Sequence, residues 1–192
     1  MGQNEHEDPG ANTIEHNRLR QNFEGVESVW LFGYGSLIYK VDFPYLERRP
    51  ARIEGWARRF WQGSHDHRGT PESPGRVVTL VEAPGAECVG MAYRVAPKVF
   101  EHLDVREKNG YLRFTTDMAF EDGSRQQGLV YIATADNAAF LGPADAPSMA
   151  RQIAGAVGPS GPNREYLLRL AESLRELGGH DDHVFELEQL LA

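Results

Sequence analysis

Val29-Trp30-Leu31-Phe32-Gly33-Tyr34-Gly35-Ser36-Leu37 is the stretch on which the reading of this chain turns. Its first four residues are apolar and three are β-branched or aromatic, the pattern of a short buried strand. The run then breaks into Gly33-Tyr34-Gly35-Ser36. Two glycines around one aromatic allow positive φ, so the backbone can turn sharply and bring its N–H groups close to a small ligand. A plain structural turn uses the same residues equally well. The segment lacks the spacing of a dinucleotide-binding GxGxxG and the Lys of a P-loop. Ser36 does not sit in a G-x-S-x-G elbow.

Outward from this strand the chain reads as strands first and helices later. Residues 51–56 form a strand that 58–63 continue past a bend. Residues 76–81 and 87–95 read as two strands joined at Pro84-Gly85 into an antiparallel hairpin, with Gly90 marking a bulge or a close approach. Pro97 suits the first position of a short helix that turns Phe100 and Leu103 inward and ends near Arg106-Glu107, with Gly110 as a left-handed cap. Residues 112–120 and 125–134 are strands joined through Asp122-Gly123. Met149, Ile153 and Val157 then recur at helical spacing. Gly158-Pro159-Ser160-Gly161-Pro162 stops that helix, and Asn163 caps the next, whose stripe is Tyr166, Leu167, Leu170, Leu174 and Leu177. A last helix carries Val184, Leu187 and Leu191. This order predicts an α+β domain on a mostly antiparallel, curved or barrel-like sheet with flanking helices, not a doubly wound parallel sheet.

The 192 residues suffice for one domain with a sizeable core. Residues 1–28, with six acids against two arginines, read as a flexible acidic tail, and residues 29–192 as the domain. His6 and His16 read as solvated side chains. The net charge of −8 argues against general affinity for nucleic acid or anionic membranes. Between residues 47 and 76, seven arginines face four acids, which suits either a small anionic ligand or a solvated arginine face. The single cysteine, Cys88, excludes an internal disulfide framework and a cysteine-based zinc cluster. No signal-peptide core or membrane-spanning apolar run is evident, and a cytoplasmic, soluble protein is the default expectation.

Two further stretches carry chemistry-bearing residues. Val105-Arg106-Glu107-Lys108-Asn109-Gly110-Tyr111 places a carboxylate before a glycine-anchored turn, although a glutamate between two cations also suits an exposed surface. His65-Asp66-His67 has the spacing of a metal pair on a strand face, yet it lies in a Gly- and Pro-rich loop with no partner cluster, and no metal site is expected there.

The combination says more than the parts. The run 32–45 (Phe32-Gly33-Tyr34-Gly35-Ser36-Leu37-Ile38-Tyr39-Lys40-Val41-Asp42-Phe43-Pro44-Tyr45) resembles the ChaC family of glutathione-specific γ-glutamylcyclotransferases. So do Arg58-Arg59-Phe60-Trp61-Gln62-Gly63-Ser64 with His67-Arg68-Gly69, then Pro74-Gly75-Arg76-Val77-Val78-Thr79-Leu80, the segment 105–111, and Gly158-Pro159-Ser160-Gly161-Pro162-Asn163 with Glu165-Tyr166-Leu167. The resemblance spans about residues 29–190; Tyr39 departs from it, standing where the family is expected to have Trp. It implies the γ-glutamylcyclotransferase-like α+β barrel, and cleavage of glutathione to 5-oxoproline and cysteinylglycine with no metal or cofactor. It further implies that Leu31, Phe32, Gly33, Tyr34, Gly35, Ser36 and Leu37 hold the γ-glutamyl group, that Tyr131 lines the pocket, and that Glu107 is the acid/base. Glutathione is then the expected partner. The alternatives are a cyclotransferase for other γ-glutamyl amino acids or amines, separated by comparing substrates, and a non-catalytic interaction protein of the same fold that uses the acidic tail as its contact.

Overall fold

In the computed structural model, which describes residues 13–18 and 20–192, the apolar run forms β1 (Val29–Gly33), with Leu31 and Phe32 fully buried. It enters a closed five-stranded barrel with β2 (Glu47–Ser64), β3 (Gly75–Val95), β4 (Tyr111–Phe120) and β5 (Arg125–Ala133) in the order β1-β3-β2-β4-β5. All neighbours run antiparallel except β1 and β5, whose parallel bridge at Leu31 and Leu129 closes the barrel. The fold is therefore α+β with a mostly antiparallel sheet, as its hairpin-rich pattern predicts.

One expected hairpin is absent. Residues 76–81 and 87–95 do not fold back on each other; both belong to β3, which pairs with β2 along its length. Glu54 faces Glu87 and Trp56 faces Glu82, so Gly55 stands alone opposite residues 83–86. Pro84 has no N–H for the ladder, and Gly85 takes a φ of +84°. A wide bulge accommodates both without ending the strand. Gly90 is indeed a place of close approach: a Cβ there would lie 2.2 Å from the Gly33 carbonyl oxygen and 2.8 Å from the Phe32 ring. Only a glycine lets the end of β1 come this near to β3.

α2 (Val99–Arg106) follows β3 and buries Phe100 and Leu103. The C-terminal layer comprises α3 (Ala146–Gly155), α4 (Asn163–Glu176) and α5 (Asp182–Leu191), and it buries Met149 and Ile153, then Leu167, Leu170 and Leu174, then Val184, Leu187 and Leu191. Val157 is not part of the α3 stripe. It lies past the helix end, 57% exposed, in a two-residue strand paired with Gly161–Pro162. Nor is Asn163 a cap. Pro162 holds the N-cap position, and the buried Asn163 carboxamide accepts from Arg76 N–H (2.7 Å) and donates to the Arg76 carbonyl (2.8 Å). It ties α4 to β3 as a strand neighbour would.

α5 is pinned to β2 by ionic and polar contacts. Arg58 reaches Asp181 at 2.8 Å, and His183 Nε2 accepts the Phe60 N–H at 3.0 Å. Burial and the nearby Arg59 push His183 down to about 4, so the ring is neutral and free to accept. With Arg58, Arg68 and Arg76 all buried, the arginine-rich zone is in good part internal structure and not a solvated face.

Part of the stretch expected as tail is packed, although residues 24–27 are exposed. α1 (Ile14–Arg18) lies against α2 and β4, with Thr13 and Asn17 buried and His16 exposed. Residues 1–12, including His6, lie outside the described residues.

Candidate active site

The chain leaves β1 at Gly33 and makes one 3-10 turn at Ser36–Ile38, closed by Ile38 N–H to the Gly35 carbonyl at 3.0 Å. Neither Gly33 nor Gly35 has the positive φ that the sequence suggests. Both are there for space. A Cβ on Gly33 would meet Leu37 Cβ at 2.8 Å, and one on Gly35 would meet Val78 at 2.8 Å and the Tyr166 hydroxyl at 3.0 Å.

This turn forms one wall of a small cavity that opens to solvent. Phe32, Tyr34, Gly35, Ser36, Leu37 and Tyr131 line it, and Glu107 faces it from the C-terminal end of α2. Leu31 and Gly33, expected beside them, are not part of the lining: Leu31 is core, and Gly33 is occupied by its approach to Gly90. Three residues absent from the sequence-based set complete the wall: Val78, Tyr111 and Tyr166. Tyr111 lies in the quoted Glu107 segment and so carried a signal. Tyr166 was hidden in the apolar stripe of α4.

The tyrosines are fixed through the backbone. Tyr34 donates to the Tyr131 carbonyl at 2.5 Å, Tyr111 to the Val78 carbonyl at 2.8 Å, and the Val78 N–H donates to the Tyr166 hydroxyl at 3.2 Å. Tyr131 donates to Asp104 at 2.6 Å. Burial raises the pKa of all four phenols, so each is a neutral hydroxyl group.

The Glu107 side chain is 16% exposed. Burial raises its pKa above the ordinary carboxylate value; Arg106 and Lys40 pull it down, while Asp42 and Asp66 push it further up. Arg106 holds the carboxylate and the glycine turn together: its guanidinium donates to Ser36 Oγ (2.9 Å), the Lys40 carbonyl (2.9 Å) and Asp42 (2.8 Å), and stands 3.7 Å from Glu107. The loop after Glu107 is tethered through Asn109, which donates to Asp66 and whose carbonyl accepts from Gln62.

A wider cleft adjoins this cavity and shares Ser36, Glu107, Tyr111 and Tyr166 with it. Its outer walls carry Lys40, His67 and Arg68. His67 contacts Ser160 through Nδ1 at 3.1 Å. Among the described residues no group of three or more His, Cys, Asp or Glu converges as a metal site would require. Nor is any helix there long and apolar enough to cross a membrane.

Comparison with known proteins agrees with this architecture. The ChaC-like protein family matches over residues 29–192. A protein of Arabidopsis thaliana named gamma-glutamylcyclotransferase 2-3 is 46% identical over 172 residues, covering 83% of this chain and 86% of the relative. Glutathione-specific gamma-glutamylcyclotransferase 1 of Danio rerio is 46% identical over 178 residues, covering 87% and 90%. Among solved structures, a crystal structure of a yeast γ-glutamyl cyclotransferase specific to glutathione superposes with a TM-score of 0.80 at 33% identity, covering 86% of this chain and 96% of that one.

Proposed function

This chain belongs to the ChaC-like protein family, and from that premise we propose that it cleaves glutathione to 5-oxoproline and cysteinylglycine. The observation that carries the proposal is the cavity in which one desolvated carboxylate, Glu107, faces the Tyr34-Gly35-Ser36 turn, with Arg106 bonded to the turn and beside the carboxylate. We assign the reaction to residues 29–192 and a cytoplasmic setting to the protein.

The substrate brings its own nucleophile. The α-amine of the γ-glutamyl unit attacks its own γ-carbonyl carbon, the C–N bond to cysteine breaks, and a five-membered lactam closes. No water is consumed. The enzyme has to hold the γ-glutamyl group bent so that amine and carbonyl meet; well-oriented intramolecular reactions reach effective molarities on the order of 10⁵–10⁸ M. The narrow cavity walled by fixed tyrosine rings suits that task. Tyr34, Tyr111 and Tyr131 spend their one O–H on protein acceptors, whereas the Tyr166 hydroxyl accepts from Val78 N–H and keeps its own proton to donate to the developing oxyanion. The wider cleft suits the cysteinylglycine half, with Lys40 and Arg68 on the side where a terminal carboxylate needs cations.

Glu107 moves the proton. An ammonium group cannot attack, so the carboxylate takes its proton, and the resulting acid returns one to the departing cysteinyl amine. The attacking nitrogen sheds a second proton as the lactam forms and the departing nitrogen leaves as an ammonium, so two protons cross in all, and one carboxylate can relay each in turn. Its raised pKa brings it closer to the amines it serves.

The test is direct. Purified protein incubated with reduced glutathione releases 5-oxoproline and cysteinylglycine in equal amounts, read by mass spectrometry, and turns over γ-glutamyl-alanine at least about tenfold more slowly, the lower bound set by losing the contacts of even one methylene. Faster turnover of γ-glutamyl-alanine would make the enzyme a general γ-glutamyl cyclotransferase. No 5-oxoproline from any γ-glutamyl donor would favour a non-catalytic protein of this fold.

A further inference from the structure

Thr13 and Asn17 precede the matched family region, which begins at residue 29, yet they are buried against the loop that carries Glu107. We propose that residues 13–18, with Arg20, form a strap on this loop, and that Thr13 and Asn17 are positioning residues for the cyclisation. The inference rests on the role given above to Glu107.

The strap holds backbone. Thr13 N–H donates to the Lys108 carbonyl at 2.8 Å, and its hydroxyl reaches the same carbonyl at 3.0 Å and that of Glu107 at 3.4 Å. Asn17 Nδ2 donates to the Tyr111 carbonyl, and Asn17 Oδ1 accepts the Arg113 N–H, both at 2.8 Å. Arg20 donates to the Arg113 carbonyl and stacks on Phe114 at 4.4 Å.

The need for these bonds follows from the barrel. β4 pairs with β5 from Tyr111 onward, but meets β2 only through Ala119 and Phe120. Its Tyr111–Arg113 end therefore has an open edge beside the cavity. A carboxamide offers the same donor and acceptor as a peptide group, and Asn17 takes the place of a missing strand there, as Asn163 does beside Arg76. Asn17 is fully buried, so this contact belongs to the packed structure and not to the surface.

The strap also reaches the opposite cavity wall. The buried Arg113 guanidinium donates to the Asn17 carbonyl and stands 3.3 Å from Asp104. Asp104 accepts from the Tyr131 hydroxyl, and the Tyr131 carbonyl accepts from Tyr34. Two lines of contact thus run from one short segment to the carboxylate loop and to the Tyr34–Tyr131 pair. Misplacing a reacting group by about 1 Å lowers a rate by about a hundredfold, so a strap that fixes this loop acts on turnover.

The test uses the full chain with Thr13→Val, Asn17→Ala and the pair combined. The double variant keeps its circular dichroism spectrum and a KM for glutathione within about twofold, while kcat falls about tenfold. Its acid limb also moves to lower pH, because a loosened loop admits water and relieves the desolvation of Glu107. None of the other groups that face Glu107 is substituted: Arg106 on α2, Lys40 and Asp42 after the glycine turn, Asp66 between β2 and β3, and the phenols of Tyr34, Tyr111, Tyr131 and Tyr166. Thr13→Ser, which keeps the hydroxyl, retains the wild-type rate and limb. A double variant with a lower melting temperature but wild-type kcat and limb overturns the proposal and leaves the strap a stabilising element only. Should Asn17→Ala fail to fold, Thr13→Val against Thr13→Ser decides between the same two outcomes. Failure of the reaction itself is distinct, since the wild-type protein would then release no 5-oxoproline.

Discussion

Glu107→Gln lowers kcat for glutathione by about 10²–10⁴-fold, the range that a positioned acid/base contributes, and leaves the protein at least as stable as wild type near neutral pH. The amide keeps the size and polarity of the side chain but can neither accept the substrate ammonium proton nor return it. The stability half follows from the direction of the pKa shift. Glu107 in the folded protein holds its proton more tightly than in the unfolded chain, because burial disfavours the carboxylate. As pH rises from the ordinary carboxylate value through the raised folded value, the folded state binds more protons than the unfolded one, and stability falls across that window. Above it, wild type carries a destabilising charge that the neutral amide lacks. Activity runs the other way: the base form is needed, so the acid limb of kcat/KM lies above the ordinary carboxylate value. Steady-state kinetics and thermal melts at pH 5 and pH 8 check both halves. Wild-type turnover by the variant would remove Glu107 from the mechanism.

Arg58→Met destabilises the fold by about 3–5 kcal/mol, the usual consequence of stranding one member of a buried ion pair. The Arg58 side chain is 2% exposed and that of Asp181 12%. Beyond Asp181, the guanidinium donates to the Tyr34 carbonyl at 2.7 Å and to the Val89 carbonyl, so it joins the glycine turn, β3 and the start of α5. Asp181 in turn caps α5 by accepting the Val184 N–H at 3.1 Å. Adding Asp181→Asn keeps that cap acceptor but removes the stranded charge. The double variant is therefore more stable than Arg58→Met alone, as urea denaturation will read. Strict additivity of the two losses would mean that the pair is not coupled.

Periodicity made most of this fold legible. The α2 pair Phe100 and Leu103, the strands on either side of Asp122-Gly123, and the stripes of α4 and α5 are where local pattern and burial agree. The pattern failed where one local signal serves two structures. Pro84-Gly85 ends a strand in a hairpin and is bypassed in a bulge, and only the length of the facing β2 decides between them. Asn163 has the chemistry of a helix cap and of a strand tie, and the partner that selects the second lies 87 residues away. Asn17 left no trace in the sequence because a lone buried amide has no period. At the candidate site, the Gly33–Leu37 turn and Glu107 were visible as motif residues. Tyr166 was masked because a tyrosine in an apolar helical stripe reads as core, which in part it is. Arg106 carries no sequence signal of its place in the site, since no spacing rule announces a guanidinium that bonds Ser36, seventy positions earlier in the chain.

The central claim, that the substrate's own amine rather than water opens the γ-glutamyl bond, is tested most directly by running the reaction on glutathione in ¹⁸O-labelled water and weighing the products. The account predicts 5-oxoproline at its unlabelled mass, with cysteinylglycine in equal amount. Glutamate carrying ¹⁸O in its γ-carboxylate would contradict it, because that product requires water to have attacked the carbonyl.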